Sequence, residues 1–206
     1  MVKVKICGIT NLIDALEACE LDADALGFIF HKKSPRYIQP VAAKDIMKSL
    51  PPFIIKVGVF VNMTLSDLYK ICESVPIDVV QLHGDETPEY CRQISYPCLK
   101  VFRVNADFNL LKLKKYQTAG YLLDTFNNYI YGGTGKTFDW NIAKEANKFG
   151  RVVLSGGLNS DNILKALDFV RPYAVDICSG VEAFPGKKDP EKLKTFFEEF
   201  RKFKNN

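Results

Sequence analysis

From its first residues to its last, the chain alternates short runs of β-branched, aliphatic and aromatic residues with segments that repeat apolar residues at helical spacing. The short runs fall at residues 2–6, 25–30, 54–60, 78–82, 98–103, 120–124, 151–155 and 174–178. Between them stand recognisable helix starts. Asn11 precedes Leu12, Leu16 and Cys19; Thr64 precedes Leu65, Leu68, Tyr69 and Cys72; Thr87-Pro88-Glu89 sets proline in the first helical position. Asp189-Pro190-Glu191 opens a last helix that places Leu193, Phe196, Phe197 and Phe200 on one stripe.

Eight such units in 206 residues leave about 26 residues each, near the minimum for a strand, a crossover helix and two turns. No inserted domain fits. The expected architecture is α/β, a single-domain (β/α)8 TIM barrel over residues 1–206, with an open flavodoxin-like sheet as the rival. In both folds ligands bind at the carboxyl ends of the strands, so the polar residues there are the ones to weigh.

Composition removes several function classes. Twenty-eight Lys and Arg against 24 Asp and Glu give a formal charge of +4 without a long single-sign block, too mild for a nucleic-acid partner. The amino terminus enters Val2-Lys3-Val4-Lys5-Ile6 directly, and no apolar run reaches the length of a membrane span, so a cytoplasmic protein without membrane contact is expected. The six cysteines (7, 19, 72, 91, 98, 178) form no C-x-x-C pair and only His31 and His83 accompany them, which argues against a metal site and a disulfide framework. The outer helix faces carry no large apolar patch, and a monomer is expected.

The strand ends supply Cys7, Arg36, His83 and Asp124. A buried cysteine is ordinarily inert packing. Asp124 directly follows Tyr121-Leu122-Leu123, where a carboxylate must be paired, protonated or used. Arg36 reads either as a surface charge or as a fork for a substrate carboxylate, and His83 as a structural histidine. Ser155-Gly156-Gly157, leading toward a helix near Asn159, and Cys178-Ser179-Gly180 end the last two strands. Glycines on adjacent strand ends let backbone N–H groups approach an anion, and barrels commonly hold phosphate there. Gly132-Gly133-Thr134-Gly135-Lys136-Thr137 fails the P-loop spacing, because Ile130 stands where that motif needs glycine. It reads as a loop that closes over substrate or as a plain surface connection.

Together with Lys5-Ile6-Cys7-Gly8-Ile9-Thr10, Gly27-Phe28-Ile29-Phe30, Ser34-Pro35-Arg36, Gln81-Leu82-His83-Gly84-Asp85-Glu86, Val175-Asp176-Ile177-Cys178-Ser179-Gly180-Val181-Glu182 and Pro185-Gly186-Lys187-Lys188-Asp189, these segments resemble the phosphoribosylanthranilate isomerase family over nearly the whole chain. Ser155 and Cys178 depart from the usual Ala and Ser of that pattern. The resemblance implies a cofactor-free Amadori rearrangement of a phosphorylated aminoaldose in tryptophan biosynthesis. By position, Asp124 would be the general acid and Cys7 the general base. Arg36 would hold the anthranilate carboxylate, and Gly156, Gly157, Ser179 and Gly180 the phosphate, with His83 and Asp176 in support. A thiol base needs a nearby cation to lose its proton, and strand alternation puts Lys5 on the same face as Cys7.

A metal-dependent pentose-phosphate epimerase would need more histidines than two, and the histidine-pathway aminoaldose isomerase a carboxylate where Cys7 stands. A non-catalytic phosphate-binding module would have no use for both Cys7 and Asp124.

Overall fold

In the computed structural model, which describes residues 1–125 and 139–204, eight parallel strands close into a barrel in sequence order. They are β1 (Lys3–Cys7), β2 (Ala25–Ile29), β3 (Ile55–Phe60), β4 (Val79–Leu82), β5 (Cys98–Val104), β6 (Gly120–Thr125), β7 (Val152–Leu154) and β8 (Ala174–Ile177). The β1–β8 ladder that closes the barrel pairs Lys5 with Asp176 and Ile6 with Ile177. The open-sheet alternative is thereby excluded.

Alternation along each strand divides the side chains. Val4, Ile6, Leu26, Phe28, Leu82 and Leu154 face outward into a core shared with the helices, whereas Val101, Leu122, Val153 and Ala174 pack as a separate cluster inside the barrel. The helices are α1 (Leu12–Glu20), α2 (Pro40–Lys48), α3 (Leu65–Ser74), α4 (Pro88–Arg92), α5 (Trp140–Ala146), α6 (Ile163–Val170) and α7 (Pro190–Lys204). The side chains of Asn11 and Thr64 accept from the backbone N–H groups of Asp14 and Asp67, so both residues cap their helices as expected. Leu193, Phe196, Phe197 and Phe200 are buried as the last helix's stripe required.

Three local features differ from the sequence expectation. The β5–β6 connection holds a 3-10 helix at Leu110–Lys115, where Leu113 alone is buried and no continuous apolar stripe exists to dock an α-helix. Helix α6 begins at Ile163 and not near Asn159, because the Asn159 side chain accepts from the Asp161 N–H and the Asn162 side chain bridges the Gly157 carbonyl and the Asn159 N–H. Asn and Asp favour such turns over the first helical turn. After β8, Glu182–Phe184 (β9) and Lys187–Lys188 (β10) form a small antiparallel hairpin around Pro185-Gly186. The Gly132–Thr137 segment lies outside the described residues. Among the described residues no helix is long and apolar enough to cross a membrane.

Candidate active site

At the carboxyl end of the barrel a narrow cavity of about 60 Å³ is lined by Cys7, His31, Ser34, Arg36, His83, Asp124, Ser155, Asp176 and Cys178, together with Ile29 of β2, Val59 of β3 and Val61 just beyond it. Five of the residues singled out from the sequence meet here although they come from β1, the β2–α2 loop and the ends of β4, β6 and β8.

Cys7 sits among charges. On its own strand, Lys5 donates from Nζ to Asp176 Oδ1 at 2.7 Å, with both side chains buried inside the barrel. A Cβ on Gly27 of β2 would lie 2.8 Å from Cys7 Sγ and 2.9 Å from Lys5 Nζ, so the thiol and the ammonium share the space that this glycine leaves. Closure of the barrel sets Cys178, one residue beyond β8, beside Cys7. A hydrogen bond from the Cys178 thiol, opposed by burial and aided by Lys5 and Lys188, holds the Cys7 thiol well below its ordinary value. Burial pulls Lys5 toward neutrality, yet Asp176 and then Cys7 outweigh it, and the ammonium stays charged. Asp176 is pushed up to about 6, chiefly by burial, because it competes with the neighbouring thiolate for the same lysine.

Lys188, almost wholly buried, donates to the carbonyl of Cys7 at 2.6 Å, to that of Cys178 at 3.2 Å and to Glu182 Oε1 at 3.1 Å. One ammonium thus ties the ends of β1 and β8 to the hairpin. Glu182 also takes Arg36, accepting from Nε at 2.9 and 3.0 Å and from Nη2 at 2.7 Å. This fork fixes the guanidinium plane at the rim of the cavity. Although burial opposes it, the hydrogen bonds from Arg36 and the charge of Lys188 hold Glu182 below its usual carboxylate range.

Across the cavity Asp124 is buried, its Oδ1 accepting from the Thr125 N–H at 2.8 Å and its Oδ2 standing 3.3 Å from His83 Nε2. The other ring nitrogen of His83 lies 3.1 Å from Gln81 Nε2. A buried pair, Lys100 to Glu86 at 3.0 Å, braces the loop after β4, since Glu86 also accepts from the Gly84 and Asn62 N–H groups.

The glycine turns pack against these groups. Gly156 and Gly157 adopt φ of +87° and +69°, a region closed to most side chains, and a Cβ on Gly156 would press on Thr125 and on Asp124 Oδ1. A Cβ on Gly180 would collide with the carbonyl oxygen of Leu158, so only glycine lets the β8 turn rest on the β7 turn. Ser179 and Gly180 begin a 3-10 turn, Ser179–Val181. Helix α6 starts only at Ile163, so its first turn stands apart from these glycine turns.

The model of the family described as N-(5'phosphoribosyl)anthranilate (PRA) isomerase matches residues 4–199. The chain belongs to the phosphoribosylanthranilate isomerase family. A curated N-(5'-phosphoribosyl)anthranilate isomerase of Citrifermentans bemidjiense is 50% identical over 202 residues, covering 98% of each chain. Among solved structures, the phosphoribosyl anthranilate isomerase of Thermus thermophilus superposes with a TM-score of 0.91 at 37% identity, covering 98% of this chain and 99% of that one. Monomers of the dimeric isomerase of Thermotoga maritima superpose at 0.85 with 43% identity, covering 98% and 100%. A phosphoribosyl anthranilate isomerase in complex with reduced 1-(o-carboxyphenylamino)-1-deoxyribulose 5-phosphate superposes at 0.84 with 42% identity, over 98% and 100%. As a member of the phosphoribosylanthranilate isomerase family the chain is an isomerase of tryptophan biosynthesis.

Within this isomerase, sequence reasoning misses four residues. Cys178 counts there only as a turn residue, although closure of the expected barrel already makes the first and last strand ends neighbours. Gln81 stands two residues before His83, so alternation alone turns it inward. Lys188 and Glu182 carry no local signal, because the groups they join to the hairpin, Cys7 and Arg36, lie in remote segments.

Proposed function

We propose that the whole chain, as one catalytic domain in the cytoplasm, converts N-(5'-phosphoribosyl)anthranilate to 1-(2-carboxyphenylamino)-1-deoxyribulose 5-phosphate, with Asp124 as general acid and Cys7 as general base. Asp124 protonates the ribose ring oxygen; the C1–O bond breaks while the anilino nitrogen lone pair forms the Schiff base. The Cys7 thiolate then takes the C2 proton, and the resulting enolamine tautomerises to the ketone. No cofactor or metal takes part. Two groups with opposite proton demands must face one substrate from separate environments. Asp124 stands beside His83 and Cys7 beside Lys5, and their joint lining of a single cavity is the observation that carries the proposal.

Arg36, clamped by Glu182 along its Nε and Nη2 edge, offers Nη1 to the anthranilate carboxylate. The turns at Gly156-Gly157 and Ser179-Gly180 take the phosphate, and His83 and Asp176 support the acid and the base. The test follows anthranilate fluorescence during turnover. Cys7→Ala and Asp124→Asn should each lower kcat by orders of magnitude with substrate still bound, and Arg36→Ala should chiefly raise KM. Near-normal turnover in either of the first two variants overturns the acid–base assignment.

For the assembly we infer a homodimer in place of the monomer expected from the outer helices. Phe53, between α2 and β3, is 95% exposed. It lines a largely apolar cavity of about 290 Å³ at the amino-terminal end of the barrel, with Ile55, Val57, Val79, Leu99 and Val153 and with Lys3, Lys5, Asp24 and Arg151. A phenylalanine so exposed beside such a cavity suits exchange between two copies. Sedimentation should give a dimer for the native chain and a monomer for Phe53→Glu; a monomeric native chain refutes the assembly.

A further inference from the structure

Gln81 is fully buried at the inward face of β4, and the mechanism above gives it no part. Its amide has a single polar neighbour of note, His83 Nδ1 at 3.1 Å from Nε2, while its Oε1 is buried without a hydrogen-bond partner among the described residues. An amide of this kind is costly to bury for packing alone, since leucine or methionine would fill the space without an orphaned carbonyl. The geometry therefore asks what the amide does to the histidine.

An amide NH2 directed at Nδ1 needs a lone pair there. The one proton of the neutral imidazole must then sit on Nε2, the nitrogen 3.3 Å from Asp124 Oδ2. If the amide were turned over, its oxygen would accept from Nδ1–H and Nε2 would face Asp124 as a lone pair. In the orientation that places Nε2 against His83 Nδ1, Gln81 favours the proton at the Nε2 end of the ring. Being uncharged, it does so without adding a charge to the site.

We propose that Gln81 is a positioning residue of the isomerase: it fixes His83 as the Nε2–H tautomer, which donates to Asp124 as that carboxyl gives its proton to the ribose ring oxygen. The inference rests on the reading of Asp124 as the general acid. Negative charge develops on Asp124 only during proton transfer, so the Nε2–H donor acts mainly in the transition state, and its loss belongs in kcat and not in KM. The 3.3 Å separation, too poorly aligned for a hydrogen bond in the resting site, fits a contact that tightens as the charge appears.

The test combines Gln81→Met, which keeps the volume and removes the amide, with His83→Phe and the double variant. Gln81→Met should lower kcat on the order of tenfold with KM unchanged, as expected for one lost positioning hydrogen bond. In the His83→Phe background it should do nothing further, because Gln81 acts only through that ring. Nitrogen-15 spectra of the imidazoles, with His31 assigned by His31→Asn, should show His83 as one Nε2–H tautomer in the native chain and as a mixture in Gln81→Met. Melting curves check that each variant folds. A shift confined to KM, additive effects of the two substitutions, or an Nδ1–H tautomer in the native protein each overturns the inference. Full activity of Asp124→Asn would instead remove the reading beneath it.

Discussion

Replacing Lys5 by methionine separates two consequences of the buried charge beside Cys7. Lys5 is one of the cations that lower the Cys7 thiol, behind the Cys178 hydrogen bond in weight. If the thiol returned all the way to its ordinary value of 9.0, about 3% would be thiolate at about pH 7.5. The ceiling on the loss of activity at that pH is therefore about thirtyfold, and the retained Cys178 contribution makes the expected loss several-fold to about tenfold. A loss of this origin recovers as the pH is raised, tenfold per unit up to the new thiol value. The assay is kcat/KM against pH by anthranilate fluorescence, beside an ultraviolet thiolate titration of the same variant. A uniform loss across the pH range, with the thiolate titration unmoved, would refute the role of Lys5 in activating Cys7.

The same substitution leaves Asp176 buried without its partner. In the native chain burial pushes Asp176 up to about 6 from its ordinary 3.8. Between these values the folded state binds more protons than the unfolded state, so this group's contribution to stability is fully present below about pH 4 and declines as the pH rises toward about 6. Without Lys5 the folded-state value climbs further and the decline extends to higher pH. The destabilisation of Lys5→Met should be small near pH 5, where Asp176 is largely protonated, and approach about 3–5 kcal/mol in alkaline buffer, as for a broken buried pair. Urea titrations at several pH values measure it, and a destabilisation independent of pH would contradict the pairing.

Other perturbations bear on the remaining groups. Cys178→Ala should raise the Cys7 thiol value and lower turnover near neutral pH, whereas Cys178→Ser, keeping a hydroxyl donor, should retain most of both; equal behaviour of the two variants in the thiolate titration would remove the Cys178 hydrogen bond from the account. Gly180→Ala forces a Cβ against the Leu158 carbonyl, so the two turns should part, with a stability loss of about 1–3 kcal/mol and weakened competition by inorganic phosphate. Unweakened inhibition by phosphate in a folded Gly180→Ala variant would take these turns out of the phosphate site. Glu182→Gln removes the carboxylate shared by Arg36 and Lys188, and melting should drop by an amount corresponding to about 3 kcal/mol or more.

Much of the site is legible in the sequence because strand periodicity is a geometric rule. Once eight strands are counted, the ends of β1, β4, β6 and β8 share one mouth. Residues two apart on a strand share one face, so the spacing of Lys5 and Cys7 by itself sets the ammonium beside the thiol. Legibility stops where a charge finds its partner far along the chain. Local sequence leaves Arg36 open to a ligand on both edges, yet Glu182, 146 residues away, occupies one of them. Lys100 and Lys188 would be assigned to solvent by composition and are instead among the most buried side chains, each satisfied by carbonyls and one carboxylate. Hydrophobic pattern records what water rejects and is silent about a lysine that has exchanged water for carbonyl oxygens. Such lysines become readable only after topology shows which strand ends converge, and here Lys188 lies where the two strands that close the barrel meet, holding Cys7 and Cys178 side by side. The step that makes the fold a barrel also brings Cys178 to the thiol of Cys7, so closure of the sheet and the lowering of that thiol are one structural event.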